Sequence, residues 1–324
     1  MKEIYEEIKT PYKYGSVVKF EDSLVDSPTV FRYNNKWYMY YVRISKNCET
    51  SGYETHCSSS DDLLNWKYEG KILKRSNCDK WDSKQCGGYA AYPDITFGGT
   101  NELEKVNGKY YIAYIGGNKD GYEPDPLQLG MAYTDDPSSV SGYTKLGNPV
   151  LSPLDADARV FEQVTIFKPF MFEDKKRSLG YKYVNIYNSR AFDKKERIYL
   201  AVSNDGIDWK RYGDKPIIDE TKTVNNLKIS GDPQIVMIGD TYVMFYFRLV
   251  DFEGAYNTFA VSKDLLNWQI WDGDALIKSE CEWENVYAHK SYVLKYEDIV
   301  YHFYCAVNDK NERFIALATS KKIN

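Results

Sequence analysis

One pattern, recurring five times along the chain, limits its possible folds more than any other feature. The clearest copy occupies residues 230–268. SGDPQIVMIGDTYVMFYF is followed, after a loop, by TFAVSKDLLNW. A Gly-Asp-Pro corner opens one apolar run, Gly239-Asp240 turns the chain into a second, and a third ends at Trp268. Runs this short, rich in Val, Ile, Tyr and Phe and bounded by Gly, Asp and Asn, are strands rather than helices. Another copy opens at Asp26-Ser27-Pro28 and closes with Asp62-Leu63-Leu64-Asn65-Trp66, the same five residues as Asp264 to Trp268. The others open at Tyr92-Pro93-Asp94, Lys168-Pro169 and His289-Lys290.

A single meander cannot bury both of its faces. Copies spaced roughly 58 to 76 residues apart indicate radial repetition, in which each unit is covered by its two neighbours. The expected fold is therefore all-β: one five-bladed β-propeller domain over residues 1–324. The fifth copy lacks room for an outer strand, and Ser16-Val17-Val18-Lys19-Phe20 from the N-terminus is expected to supply it. A large β-sandwich is the competing arrangement.

Net charge is -5 and no basic stripe is present, which disfavours nucleic acid and anionic membrane as partners. No apolar run approaches the ~20 residues that span a bilayer. The charged opening Met-Lys-Glu-Ile-Tyr-Glu-Glu does not resemble a secretion signal, so a cytoplasmic location is expected, although a signal removed beforehand would leave the same start. Oligomeric state is left open. Cys48/Cys57 and Cys78/Cys86 could close short loops under oxidising conditions, but free thiols are the expectation. With three histidines and no Cys-x-x-Cys, a Cys/His zinc site is not expected.

The sequence carries 30 Tyr and 7 Trp. Most tyrosines belong to the second runs, but Tyr53, Tyr89, Tyr92 and Tyr122 stand in Gly-rich loops, with Glu54 and Glu123 beside two of them. Aromatic plates next to acids suit a sugar, which has an apolar C–H face and a polar rim. In a propeller the repeat starts converge on the axis, gathering Asp26, Asp94, Asp232, Lys168, His289 and Lys290. Glycosidic bond cleavage needs one acid to protonate the leaving oxygen and one carboxylate to act on water or on the sugar. Crowded carboxylates raise one another's pKa and so keep one protonated.

These repeats and motifs resemble the five-bladed propeller glycosidases, namely glycoside hydrolase family 43 and the related families 32, 62, 68, 117 and 130. Ile229-Ser230-Gly231-Asp232-Pro233-Gln234-Ile235 and Ala288-His289-Lys290 resemble stretches of uncharacterised bacterial family 43-like members. The resemblance implies an inverting hydrolase that releases a terminal arabinofuranosyl, xylosyl or galactosyl-type sugar from plant-type oligosaccharides. The long loops 45–55, 78–91 and 116–127, closing a funnel at the axis, favour exo action. Asp26 is implied as base, although the family's Asp-Pro is Ser27-Pro28 here. Asp94 is implied as pKa-tuning acid, and Glu162 as general acid with His289 its rival. Tyr53, Glu54, Glu123, Asp232 and His289 would hold the sugar. A calcium ion near His289 is possible by analogy, and none is required. The central bases Lys168, Lys290, Arg190 and Arg248 would neutralise the acids, bind a uronic acid, or receive phosphate as in family 130 phosphorylases. Two alternatives therefore stand beside the hydrolase: a phosphorylase, and a glycan-binding propeller without activity.

Overall fold

A computed structural model describes residues 1–323, apart from the side chain of Cys48. Among these residues the protein is all-β, with one short α-helix at Lys2–Ile8. Its strands form five antiparallel units in chain order. The first unit is Ser23–Tyr33, Lys36–Ser45, Glu54–Ser60 and Lys67–Leu73. Gln85–Ala90, Tyr110–Gly117, Gln128–Thr134 and Thr144–Lys145 make the second. In the third, Thr165–Ile166 and Phe170–Glu173 share the edge of Tyr183–Arg190, followed by Glu196–Ser203 and Lys210–Arg211. The fourth is Leu227–Ile238, Thr241–Val250, Gly254–Ser262 and Gln269–Ile270. Tyr287–Tyr296, Ile299–Val307 and Arg313–Thr319 make the fifth.

The outer edge of the fifth unit is taken by Tyr12–Val18, antiparallel to Arg313–Thr319. The N-terminal segment therefore completes the last sheet, starting four residues earlier than the sequence suggests. Each unit packs on the next and the fifth packs on the first, so the order of packing is cyclic. Single parallel pairings, Glu196 with Ile229 and Ala255 with Tyr287, run the third, fourth and fifth units into one continuous sheet.

Polar side chains hold the seams between units. Gln234 donates to the Val293 carbonyl at 2.8 Å and accepts the Val293 N–H at 2.7 Å. Thr55 bonds the Cys86 carbonyl and the Gly88 N–H, and Asn257 donates to the Ala288 carbonyl. Fully buried Phe172, Ile186, Ile198, Ile235, Met244 and Phe303 belong to the largest apolar cluster, shared by several units.

The repeated tail is a repeated turn. Asp62 accepts the N–H groups of Leu64 and Asn65, Trp66 donates to the Leu63 carbonyl, and Leu63 takes a φ of 66°. Asp264, Leu265 and Trp268 repeat each contact, with Leu265 at 67°. In the third unit Asp205 plays the same part and Gly206 takes the left-handed position.

The first strands share a second device. A register shift falls between Asp26 and Thr29, between Gly231 and Gln234, and between His289 and Tyr292. At each one a non-glycine residue has positive φ: Ser27 at 47°, Asp232 at 54° and Lys290 at 52°. Such bulges re-aim side chains at a functional edge and cost of order 1–3 kcal/mol each.

Candidate active site

The three bulges meet. Asp26 is 2 % exposed, and its Oδ2 accepts the Tyr122 hydroxyl at 2.7 Å, Lys290 Nζ at 3.1 Å and Arg313 Nη1 at 2.6 Å. Oδ1 accepts the Ser27 N–H at 2.8 Å. Burial opposes the charge on Asp26, but the Lys290 ammonium and the Arg313 guanidinium hold its carboxyl well below the usual carboxylate range. Lys290 also donates to Glu123 Oε1 at 2.8 Å, and the buried Tyr53 hydroxyl donates to the same oxygen at 3.0 Å. Glu123 sits at φ 50° on the loop between two strands of the second unit. Ser27 donates to Asp232 at 3.3 Å, and buried Lys168 lies 3.8 Å from the same carboxylate. Burial raises Asp232 against the pull of Lys290 and Lys168.

Beside this cluster an open-sided cavity of about 170 Å³ is lined by Tyr122, Glu123, Lys290 and Arg313 together with Ile229, Phe247 and Leu249. Behind its wall stands Glu196, 5 % exposed, whose backbone pairs with the lining residue Ile229. Burial and the nearby Glu123 carboxylate push Glu196 up to about 8. Asn188 donates to Glu196 Oε2 at 2.7 Å and accepts the Asp232 N–H through its own oxygen at 3.1 Å. Glu196 Oε1 lies 3.9 Å from Arg190, which is bound at 2.5 Å to Asp125, on the loop that carries Glu123. One carboxyl group, Glu123, lines the cavity, and a second, Glu196, lies just behind the strand residue Ile229 that lines it. Glu196 holds its proton near neutral pH, while Glu123 is fixed by two donors on one oxygen. That is the chemical pair a glycosidase requires.

Of the residues expected from the sequence, Asp26, Tyr53, Glu123, Lys168, Asp232, His289 and Lys290 come together. Asp94 does not join them. Its carboxylate is spent on the N–H groups of Thr96 and Thr100 and lines a separate cavity with Met237 and Tyr242. Glu162 is fully buried and held by Arg159, Tyr187 and Arg211, an ion cluster that fastens the outer edge of the third unit. Its carboxylate is engaged by these donors within the third unit and does not line the cavity beside Asp26.

Glu54 pairs with Lys71 and Arg75 at another cavity. Arg248 is bound to Glu220 and neighbours Tyr246. Tyr92 packs on Tyr111 and Tyr183 between units. His289 lines the site, but burial and Arg313 hold its imidazole down to about 3. Its Nδ1–H donates to the Cys305 carbonyl at 3.2 Å.

Beside His289 the carboxylates of Asp26 and Glu123 are already paired with Lys290 and Arg313, a lining that does not fit calcium. Among the described residues no group of three or more His, Cys, Asp or Glu converges on a metal position. Cys78 and Cys86 are free thiols, and the Cys48/Cys57 pairing lies outside the described residues. No helix is long and apolar enough to cross a membrane.

Glu196, Asn188 and Arg313 escaped the sequence reading. Glu196 lies in Asp193-Lys194-Lys195-Glu196-Arg197, which reads as a solvated hairpin tip. Only the pairing of its strand with Ile229 brings it inward.

No family model and no curated protein matches the sequence. Solved structures do. One, a BT0996–RGII complex, is 42% identical, with a TM-score of 0.94 over 100% of this protein and 95% of its own length. Another, named as a glycoside hydrolase, is 41% identical with the same TM-score and the same coverage. A thermostable family-43 glycoside hydrolase shares the fold at 14% identity and a TM-score of 0.64, over 92% of this protein and 89% of its own length. The protein belongs to the glycoside hydrolases, and its fold is that of the family 43-like group.

Proposed function

We propose that the five units are the blades of a propeller and that the protein is an exo-acting hydrolase. It would release one terminal sugar from an oligosaccharide of the kind named in the 42%-identical complex, RGII. The reading is carried by one observation: Glu196, pushed up to about 8 by burial and by the nearby Glu123 carboxylate, pairs through its backbone with Ile229 of the cavity that Glu123 lines.

In this reading Glu196 protonates the glycosidic oxygen. Oε2 accepts the Asn188 amide, so the proton resides on Oε1. As the C–O bond breaks, the leaving sugar keeps that proton. Glu123 Oε2 has no hydrogen-bond partner among the described residues and meets the anomeric carbon, with water supplying the hydroxyl that completes hydrolysis. Asp26 is not the base but an anchor, aligning Tyr122, Lys290 and Arg313. Because Lys290 and Arg313 are engaged by Asp26, the hydrolase is favoured over a phosphate-dependent route.

The test is turnover of RGII oligosaccharide and of nitrophenyl pentosides, hexosides and uronides, with and without inorganic phosphate. Cleavage independent of phosphate is expected, and cleavage only in its presence would replace the hydrolase with a phosphorylase. NMR of the first-released anomer then assigns the stereochemistry. The opposite anomer identifies Glu123 as activating water, and the same anomer a glycosyl–Glu123 intermediate.

A further inference from the structure

Two phenylalanines are exposed where nothing in the fold requires them. Phe252 is 101% exposed and Phe192 is 77% exposed. Each sits at the tip of a hairpin. Phe252 joins Thr241–Val250 to Gly254–Ser262, and Phe192 joins Tyr183–Arg190 to Glu196–Ser203. The roots of both hairpins belong to the active site. Leu249 and Ala255, three residues to either side of Phe252, line the cavity, and Glu196 and Arg190 flank Phe192. Glu196 pairs with Ile229 and Ile229 with Leu249, so the hairpins stand two strand spacings apart, roughly 10 Å. Because Glu196–Ser203 and Thr241–Val250 run antiparallel to one another across the strand between them, both tips lie at the same end of their strands, beyond the residues that line or back the cavity.

We propose that Phe192 and Phe252 form a stacking platform for the part of the oligosaccharide that remains outside the cavity while its terminal sugar is cleaved. The proposal rests on the glycosidase reading of the cavity. A pyranose offers an axial C–H face that an aromatic ring covers without a directed hydrogen bond. Full exposure of both rings leaves that face free, and the strands beneath fix their spacing. The apolar wall of Ile229, Phe247 and Leu249 continues the surface down to the catalytic end.

The experiment separates platform from catalysis. Binding of RGII oligosaccharide is measured by calorimetry on Glu196→Gln protein, alone and combined with Phe252→Ala, Phe192→Ala or both. In parallel, kcat/KM of the otherwise unaltered Phe variants is compared for this oligosaccharide and for the nitrophenyl glycoside cleaved best. Each ring removed is expected to weaken oligosaccharide binding about tenfold, equivalent to about 1.4 kcal/mol, and to lower the oligosaccharide-to-nitrophenyl ratio to match. Phe252→Trp should preserve both. Unchanged affinity in the double variant, equal losses on both substrates, or no binding to Glu196→Gln protein would each overturn the platform. Tight, ring-dependent binding by a protein that cleaves neither substrate would instead keep the platform and remove the catalytic reading.

Discussion

The proposed chemistry rests on the contrast between Glu196 and Glu123. A buried carboxyl raised to about 8 is the acid form at neutral pH, so kcat/KM should fall as pH rises past about 8. Glu196→Gln should lower kcat on the natural oligosaccharide by about 10²–10⁴-fold and abolish that alkaline limb. A nitrophenyl substrate, whose leaving group needs little protonation, should lose far less. Asn188→Ala removes the donor to Oε2 and the acceptor for the Asp232 N–H. The alkaline limb should then move to higher pH, because a hydrogen bond that favours the charged carboxylate is lost. An unmoved limb would mean that Asn188 only holds the backbone. The sequence placed Asp26, Tyr53, Glu123, Asp232 and Lys290 together because each is a repeat start or a Gly-flanked loop residue. It missed Glu196, whose neighbours are charged and whose side chain is drawn inward by pairing with a strand in the next unit.

At the scale of elements, the turns and bulges explain which parts of the motif resemblance transfer. The Asp-Leu-Leu-Asn-Trp turn is local chemistry, so identical residues give identical contacts at Asp62 and Asp264. Asp264→Ala removes an acceptor for two backbone N–H groups and should destabilise by about 1 kcal/mol, read from denaturant midpoints at constant slope. Leu265 bonds and packs at positive φ, a conformation the letters alone do not reveal. Tyr92-Pro93-Asp94 stands apart from the other repeat starts for the same reason. Tyr92 takes the left-handed position at 59°, and two residues further on Asp94 lies at the separate cavity with Met237 and Tyr242, bonded to its own turn. The bulges that aim Ser27, Asp232 and Lys290 are likewise invisible in sequence, because none of these residues is the glycine that ordinarily marks such a backbone.

For the whole molecule, the repeat interval carried the architecture of stacked meanders, and the missing outer strand of the last copy carried the role of the N-terminus. Deleting residues 1–18 should bare the unpaired edge of Arg313–Thr319 and remove Ile8 and Val18 from the apolar clusters they fill, lowering Tm and promoting association visible by size-exclusion chromatography. Stability should also depend on pH through Glu196. The folded carboxyl titrates at about 8 and the unfolded one near its reference value of 4.5, so the native state binds more protons between these limits. Stability therefore falls as pH rises through that window and levels off above it, and Glu196→Gln should flatten the slope in melts taken across the range.

Completing the last sheet with the first strand has a mechanical corollary. Tyr12 faces Thr319 and Val18 faces Ile315, so both termini leave from the same extremity of that ladder. Tension applied through them would load its hydrogen bonds one after another, like a zip, rather than all at once. Once the Lys2–Ile8 helix has been peeled away, this pairing should yield under force well before the hydrophobic seams between units separate.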